Sequence, residues 1–128
     1  MEKKFTKKDF EQFKELFMMS VHRLGLTEWA YSFKQIDDDE DTAADIQGDL
    51  CQKTMLVRLS KTYKAEEDKY KLLLDSAEHE AIEILLYHLR MKAAHGMGDA
   101  AWVWTDGHCH TIINRIQSMI FPIGWEKK

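Results

Sequence analysis

The feature that most constrains this chain is an apolar stretch from about Lys69 to Ala94 that contains neither proline nor glycine. The first clear stop signal is His95-Gly96, so we predict one long helix. Its apolar residues cover most of the helix circumference, which is typical of a helix buried at the centre of a domain. They are Leu73, Leu74, Ala77, Ala81, Ile82, Ile84, Leu85, Leu86 and Leu89. We therefore expect the rest of the chain to pack around this helix.

Length and composition indicate one folded domain. The 128 residues suit a single domain over 1–128, and the 45% hydrophobic content with a single proline favours a folded chain over a disordered one. The net charge of -4 argues against nucleic acid or an anionic membrane as the main partner. The nearest basic block is interpreted as the solvated start of a helix; it consists of Lys3, Lys4, Lys7 and Lys8.

The sequence also bears on localisation. No apolar run reaches the length of a membrane span, and the N-terminus lacks the apolar core and cleavage site of a signal peptide. We expect a cytoplasmic protein, in which Cys51 and Cys109 are reduced thiols and not a disulfide.

The remaining elements predict an α+β fold. A capping box at Thr6 opens an amphipathic N-terminal helix that Gly25 ends. Three strands are predicted at 26–33, 42–50 and 54–59, and their short connections indicate a mostly antiparallel meander. Apolar residues at helical spacing predict a C-terminal helix from the 106–116 region to Pro122.

An acidic run between the first two strands, Asp37 to Asp41, resembles part of a calcium loop. That loop needs Gly at its sixth position and Glu at its twelfth, where this chain has Thr42 and Gly48. A solvated turn is therefore the better interpretation.

The long helix carries a group with metal-binding spacing, His79-Glu80 followed by Glu83. This is the H-E-x-x-H pattern of zinc proteases with Glu83 at the position of the second histidine. Glu83 lies about 40° round the helix axis from His79, so both side chains can reach one ion, and Glu80 can address a water bound to it. His88, nine residues after His79, points to the opposite face and is not expected to bind the ion.

The residues alone leave two points open. A zinc site usually takes three protein ligands, and either His108 or His110 can supply the missing one. The metal-binding group can equally be a narrow exposed stripe on the helix, which Asp75 and Arg90 would continue along the same face.

The chain up to about Phe121 resembles the small zinc metallopeptidases encoded by phages and prophages, which are minimal relatives of the zincin proteases. The resemblance rests on Lys8-Asp9-Phe10-Glu11, Leu24-Gly25-Leu26 with Trp29, Val57-Arg58-Leu59-Ser60, Ala77-Glu78-His79-Glu80 followed by Leu85-Leu86, and His110-Thr111-Ile112-Ile113-Asn114-Arg115-Ile116.

This resemblance implies a minimal zincin-like fold with an N-terminal helix, a three-stranded sheet, a buried active-site helix and a C-terminal helix. It implies that zinc is held by His79 and His110, that Glu80 is the general base, and that a peptide or protein is the substrate. Glu83 replaces the second histidine of the family, which still leaves two imidazoles and one carboxylate, the ligand set of thermolysin-like enzymes. Tyr63 and Tyr87 are candidates for stabilising the oxyanion.

Two other classes remain. Two histidines and a carboxylate also form the facial triad of iron oxygenases, although those sites normally lie in a barrel of strands. A catalytically degenerate zincin-like fold that binds a host or phage factor is the stronger rival, and Trp102 and Trp104 would suit its interface.

Overall fold

The computed structural model describes residues 2–37, 43–49, 51–64, 68–97 and 111–127, and for 88–97 it describes the backbone alone. Most of the acidic run at 37–41, the two tryptophans at 102 and 104, Cys109, and both His108 and His110 lie outside the described residues, as do the side chains of His88 and Arg90. Cys51 is an exposed free thiol.

The N-terminal helix, α1, covers Lys7–Arg23 and begins as the sequence predicts. The Asp9 backbone N–H donates to Thr6 Oγ1 at 3.1 Å, and the Thr6 N–H donates to Asp9 Oδ2 at 2.8 Å. This is a complete capping box, with Asp in place of the usual Glu. Gly25 follows the helix at φ 75°, a conformation that favours glycine.

The main sheet has three strands, β2 (Ala30–Ile36), β3 (Ala44–Asp49) and β4 (Thr54–Ser60), in the order β2-β4-β3. β4 pairs with β3 antiparallel and with β2 parallel, so the predicted mostly antiparallel meander is wrong. The physical reason is burial: β4 supplies Met55, Val57 and Leu59, each at most 1% exposed, and therefore takes the central position. β2 starts four residues later than predicted.

A second, two-stranded sheet was not predicted. β1 (Glu2–Lys4) pairs antiparallel with β5 (Thr62–Lys64), so Lys3 and Lys4 belong to a strand and not to a solvated helix start. Both segments are mostly polar, so their periodicity gives no strand signal. The ribbon is held by backbone pairing and by the Phe5 ring, which stacks on Tyr63 with a centroid distance of 4.6 Å.

The long helix, α2, covers Lys69–Met97 and is the centre of the core, as predicted. It does not end at His95-Gly96, as the sequence predicted, but continues through Gly96. Leu73, Ala77 and Ala81 are fully buried and belong to one cluster with Phe13 and Phe17 of α1 and the inner side chains of β4. Leu85 departs from the prediction, since it is 40% exposed. No helix in the described part of the chain has both the length and the apolarity of a membrane span.

The described part of the C-terminal helix, α3, covers residues 111–120, and a short 3-10 helix follows at Trp125–Lys127. Pro122 lies just beyond α3, as predicted. A second core cluster joins this segment to α2; its buried members are Ile82, Ile113, Phe121 and Trp125. Arg23 Nε of α1 also donates to the Ile120 carbonyl at 2.6 Å.

Candidate metal centre

An open cleft of about 730 Å³ lies between α2, the start of β3 and α3. α2 contributes His79 and Glu80, α3 contributes Asn114 and Gln117, and the strand contributes Ala44. Two members of the metal-binding group predicted from the sequence, His79 and Glu80, therefore face a cavity that three different elements line, whereas Glu83 is not part of its described lining.

His79, Glu80 and Glu83 lie together on α2, with one potential ligand atom from each residue within 4.8 Å of the others. The spacing follows from the helix, since residues four apart lie one above the other on the same face. Two ligands of one zinc ion are each about 2.1 Å from the metal, which puts them up to about 4.2 Å apart. Small side-chain adjustments thus suffice for these donors to meet on one ion.

The three members of this group differ in their exposure to solvent. His79 and Glu83 are half-buried, whereas Glu80 is only 5% exposed. Glu80 is thus not part of an exposed stripe, so that interpretation is wrong for this residue. A carboxylate held away from bulk water fits a base or a ligand better than a solubilising surface residue.

The cleft is acidic. Asp75, Glu78 and Glu80 line it, and its described lining contains no lysine or arginine. Burial raises the pKa of Asp75, which lies one turn before His79, while the nearby Lys71 ammonium opposes the rise. A concave acidic wall beside an imidazole attracts cations, including divalent metal ions.

Glu78 is the site residue that sequence reasoning missed. Its Oε2 accepts from Trp125 Nε1 at 2.6 Å, and its Oε1 accepts from Gln117 Nε2 at 2.8 Å. Burial raises the pKa of Glu78, these two hydrogen bonds oppose the rise, and the Asp75 and Glu126 carboxylates add to it. The available signal was a carboxylate directly after the core residue Ala77, which needs buried partners.

The predicted third ligand, His110, and its alternative, His108, lie outside the described residues. The description resumes at Thr111, and Asn114, four residues after position 110, lines the cleft.

The two tyrosines that are candidates for stabilising the oxyanion make their described contacts away from the cleft. Tyr87 Oη donates to the Gly48 carbonyl at 3.1 Å, so this hydroxyl ties α2 to β3. Tyr63 stacks in the β1-β5 ribbon. Neither residue is part of the described cleft lining.

The strand beside the cleft, β3, has one edge that no described strand pairs with. The Ser60 N–H donates to the Ala43 carbonyl at 2.8 Å, so residue 43 faces β4. Because antiparallel pairs alternate between inward and outward backbone groups, those of Ala44, Ile46 and Gly48 point to the other edge. At Gly48 that edge is taken by Tyr87.

Comparisons with protein-family models, curated proteins and solved structures found no match to this chain. The resemblance to phage and prophage metallopeptidases thus remains a prediction from the residues.

Proposed function

We propose that this protein is a zinc-dependent metallopeptidase of phage or prophage origin, with a minimal zincin-like fold and a cytoplasmic location, that hydrolyses a peptide or amide bond. The observation that carries the proposal is that potential ligand atoms of His79, Glu80 and Glu83 lie within 4.8 Å of one another, with His79 and Glu80 lining an acidic cleft. A histidine and two carboxylates in a cavity suit a catalytic divalent metal better than a surface ion pair.

The proposed zinc ligands are His79, Glu83 and His110. The contacts between α2 and α3 run antiparallel, since Gln117 meets Glu78 and Ile113 shares a cluster with Ile82. A step of four residues from Gln117 back to Ile113 on α3 therefore corresponds to a step of four residues from Glu78 forward to Ile82 on α2. The assignment of His110 rests on the resemblance, because residue 110 lies outside the described residues.

Glu80 is the proposed general base. A zinc ion held by these residues would acidify a water molecule and polarise the scissile carbonyl. The Glu80 carboxylate would take the proton of the attacking water and deliver it to the leaving amine. Its burial supports this role, because a base screened from bulk water exchanges its proton with the reacting groups in preference to solvent.

The proposed substrate is an extended peptide or protein segment. The outward backbone groups of Ala44 and Ile46 offer hydrogen-bonding positions for an added strand beside the cleft. The acidic lining disfavours substrates with carboxylates near the scissile bond.

The first experiment measures the zinc content of the untagged protein by elemental analysis, for the native chain and for His79→Ala. We expect about one zinc per chain in the native protein, since three such ligands form one catalytic site, and its loss in the variant. His22→Ala is the matched control, because His22 is an exposed histidine on α1 away from the cleft. Zinc retained in His79→Ala would contradict the site.

The second experiment tests the base with Glu80→Gln, using zinc content and hydrolysis of a fluorogenic peptide library. We expect hydrolysis to be lost and zinc to be retained. If zinc is lost too, Glu80 is a ligand and not the base. A variant that still cleaves would contradict the catalytic role.

The alternative function is a catalytically inactive zincin-like protein that binds a host or phage factor. It is favoured by the exposed apolar side chains at the C-terminus, where Met119 is 79% exposed and Ile123 is fully exposed. This alternative predicts a native chain without zinc whose thermal unfolding does not respond to a chelator.

A further inference from the structure

We propose that Glu78 is a positioning residue, which fixes α3 across the cleft at the level of His79 and so sets the spacing of the metal centre. The effect of Glu78 on metal binding rests on the proposed function, whereas the positioning of α3 is a property of the fold. Glu78 directly precedes His79 and makes its hydrogen bonds with the C-terminal segment.

Glu78 binds the C-terminal segment through both of its carboxylate oxygens. Each carboxylate oxygen of Glu78 accepts one hydrogen bond, from Gln117 on α3 and from Trp125 beyond it. Glu78 is 4% exposed and Trp125 is 7% exposed, so the hydrogen bond between them is shielded from water, while the bond from Gln117 is partly buried. Hydrogen bonds to a charged acceptor are stronger than neutral ones, and two of them fix orientation as well as distance.

The anchored segment is also held elsewhere, but not at the level of the site. Tyr70 Oη donates to Glu126 Oε2 at 2.9 Å, and Tyr70 lies eight residues before Glu78, about 12 Å down α2. Arg23 holds the Ile120 carbonyl from α1. Glu78 is thus the polar link from α2 to α3 next to the metal-binding group among the described hydrogen bonds.

This arrangement decides the width of the cleft. Gln117, which Glu78 holds, lines the cleft together with Asn114, one turn earlier on α3. A shift of α3 would therefore move Asn114 and Gln117, which line the cleft, together with Thr111, the first described residue of α3. Glutamine cannot replace Glu78, because its side chain has one acceptor oxygen and one donor nitrogen. One of the two donors, Gln117 Nε2 or Trp125 Nε1, would then face the amide nitrogen and lose its acceptor.

The test compares Glu78→Gln with Tyr70→Phe, which removes a hydrogen bond between α2 and the same C-terminal segment, but away from the site. Zinc affinity is measured by competition with a chromophoric chelator, and folding by circular dichroism. We expect Glu78→Gln to weaken zinc binding by about 10–100-fold, as is usual for residues that orient ligands, and Tyr70→Phe to leave it unchanged. Native zinc affinity in a folded Glu78→Gln protein would overturn the effect of Glu78 on metal binding.

A second readout does not need metal. Spin labels at Asp75→Cys on α2 and Ser118→Cys on α3, in a Cys51→Ser and Cys109→Ser background, report the distance across the cleft by pulsed electron paramagnetic resonance. We expect one narrow distance distribution that broadens or shifts in Glu78→Gln but not in Tyr70→Phe. An unchanged distribution in Glu78→Gln would overturn the positioning role.

The two readouts separate the two proposals. A native chain that binds no zinc contradicts the proposed function, while the distance measurement still decides whether Glu78 fixes α3. If Glu78→Gln does not fold, Gln117→Met removes one of the two donors at a half-buried position and takes its place in both measurements. The same outcomes then support or overturn the proposal.

Discussion

The Tyr87 hydroxyl donates to the carbonyl oxygen of Gly48, and this bond joins α2 to the edge strand of the sheet, β3. The Tyr87 ring also meets the Trp29 ring edge-on, with centroids 6.3 Å apart. The strand that lines the cleft is therefore tied to the helix that carries His79, eight residues before Tyr87. Changes at this contact should alter stability without removing any proposed metal ligand.

Tyr87→Phe should destabilise the protein by about 1 kcal/mol, the usual net value of one hydrogen bond. The ring and its contact with Trp29 are retained, so the loss reports the hydroxyl alone. Urea denaturation measures the change in stability. Hydrogen exchange should be faster in β3 of the variant than in β3 of the native protein, with a smaller difference in α1. Equal exchange rates in β3 of both proteins would mean that the bond does not hold the strand.

Gly48→Ala should destabilise the protein by about 1 kcal/mol through overpacking, the low end of the usual range, because the atoms in the way belong to the flexible end of the Met55 side chain. A Cβ at position 48 would lie 2.6 Å from Met55 Cε and 2.9 Å from Met55 Sδ, both closer than real contacts. Thermal unfolding measures the effect.

Met55→Leu supplies the control, because leucine lacks the terminal methyl group that the new Cβ would meet. Alone it should cost less than about 1.5 kcal/mol, as volume-conserving core changes usually do. The double variant should be more stable than the sum of the single effects predicts. Strict additivity would show that the clash with Met55 is not the cause.

Thr6→Ala should cost about 1 kcal/mol, the usual value of a lost helix cap. The Thr6 side chain caps the Asp9 N–H, and the Thr6 N–H in turn binds the Asp9 carboxylate. Urea denaturation at neutral pH measures the loss. Thr27→Ala, outside any described helix or strand, is the control and should cost less.

The Asp9 carboxylate should make stability fall in acid. Burial raises the pKa of Asp9, but the Thr6 backbone hydrogen bond and the Lys69 ammonium, 3.1 Å away, outweigh it and lower the pKa below 3.8. Because the folded pKa lies below the unfolded one, this stabilisation is complete above the unfolded value and disappears as the pH falls through the folded value. Asp9→Asn should remove this part of the acid dependence in urea titrations between neutral and acidic pH, and an unchanged dependence would contradict it.

Glu83→His should raise the affinity for zinc and lower the affinity for Mn²⁺. The change completes the H-E-x-x-H pattern, and imidazole suits zinc whereas carboxylate suits harder ions. Chelator competition with each ion measures both affinities. A Glu83→His protein with native zinc affinity would show that position 83 is not a ligand, and Glu80→Gln serves as the variant expected to keep zinc.

The sequence by itself determined the local features. The capping box at Thr6 depends on residues three positions apart, and the length of α2 on the absence of helix-ending residues between Lys69 and His95. The grouping of His79, Glu80 and Glu83 follows from helix periodicity alone. These features are predictable because the interacting groups are near neighbours in the chain.

The tertiary structure decided which distant segments meet. Periodicity indicates a strand but not its partner, so the central position of β4 and its parallel pairing with β2 depended on which strand was buried most deeply. The bonds from Gln117 and Trp125 to Glu78 join residues 39 and 47 positions apart. The local pattern around Glu78 shows only that it follows the core residue Ala77, and its two partners are decided only once the C-terminal segment is packed against α2.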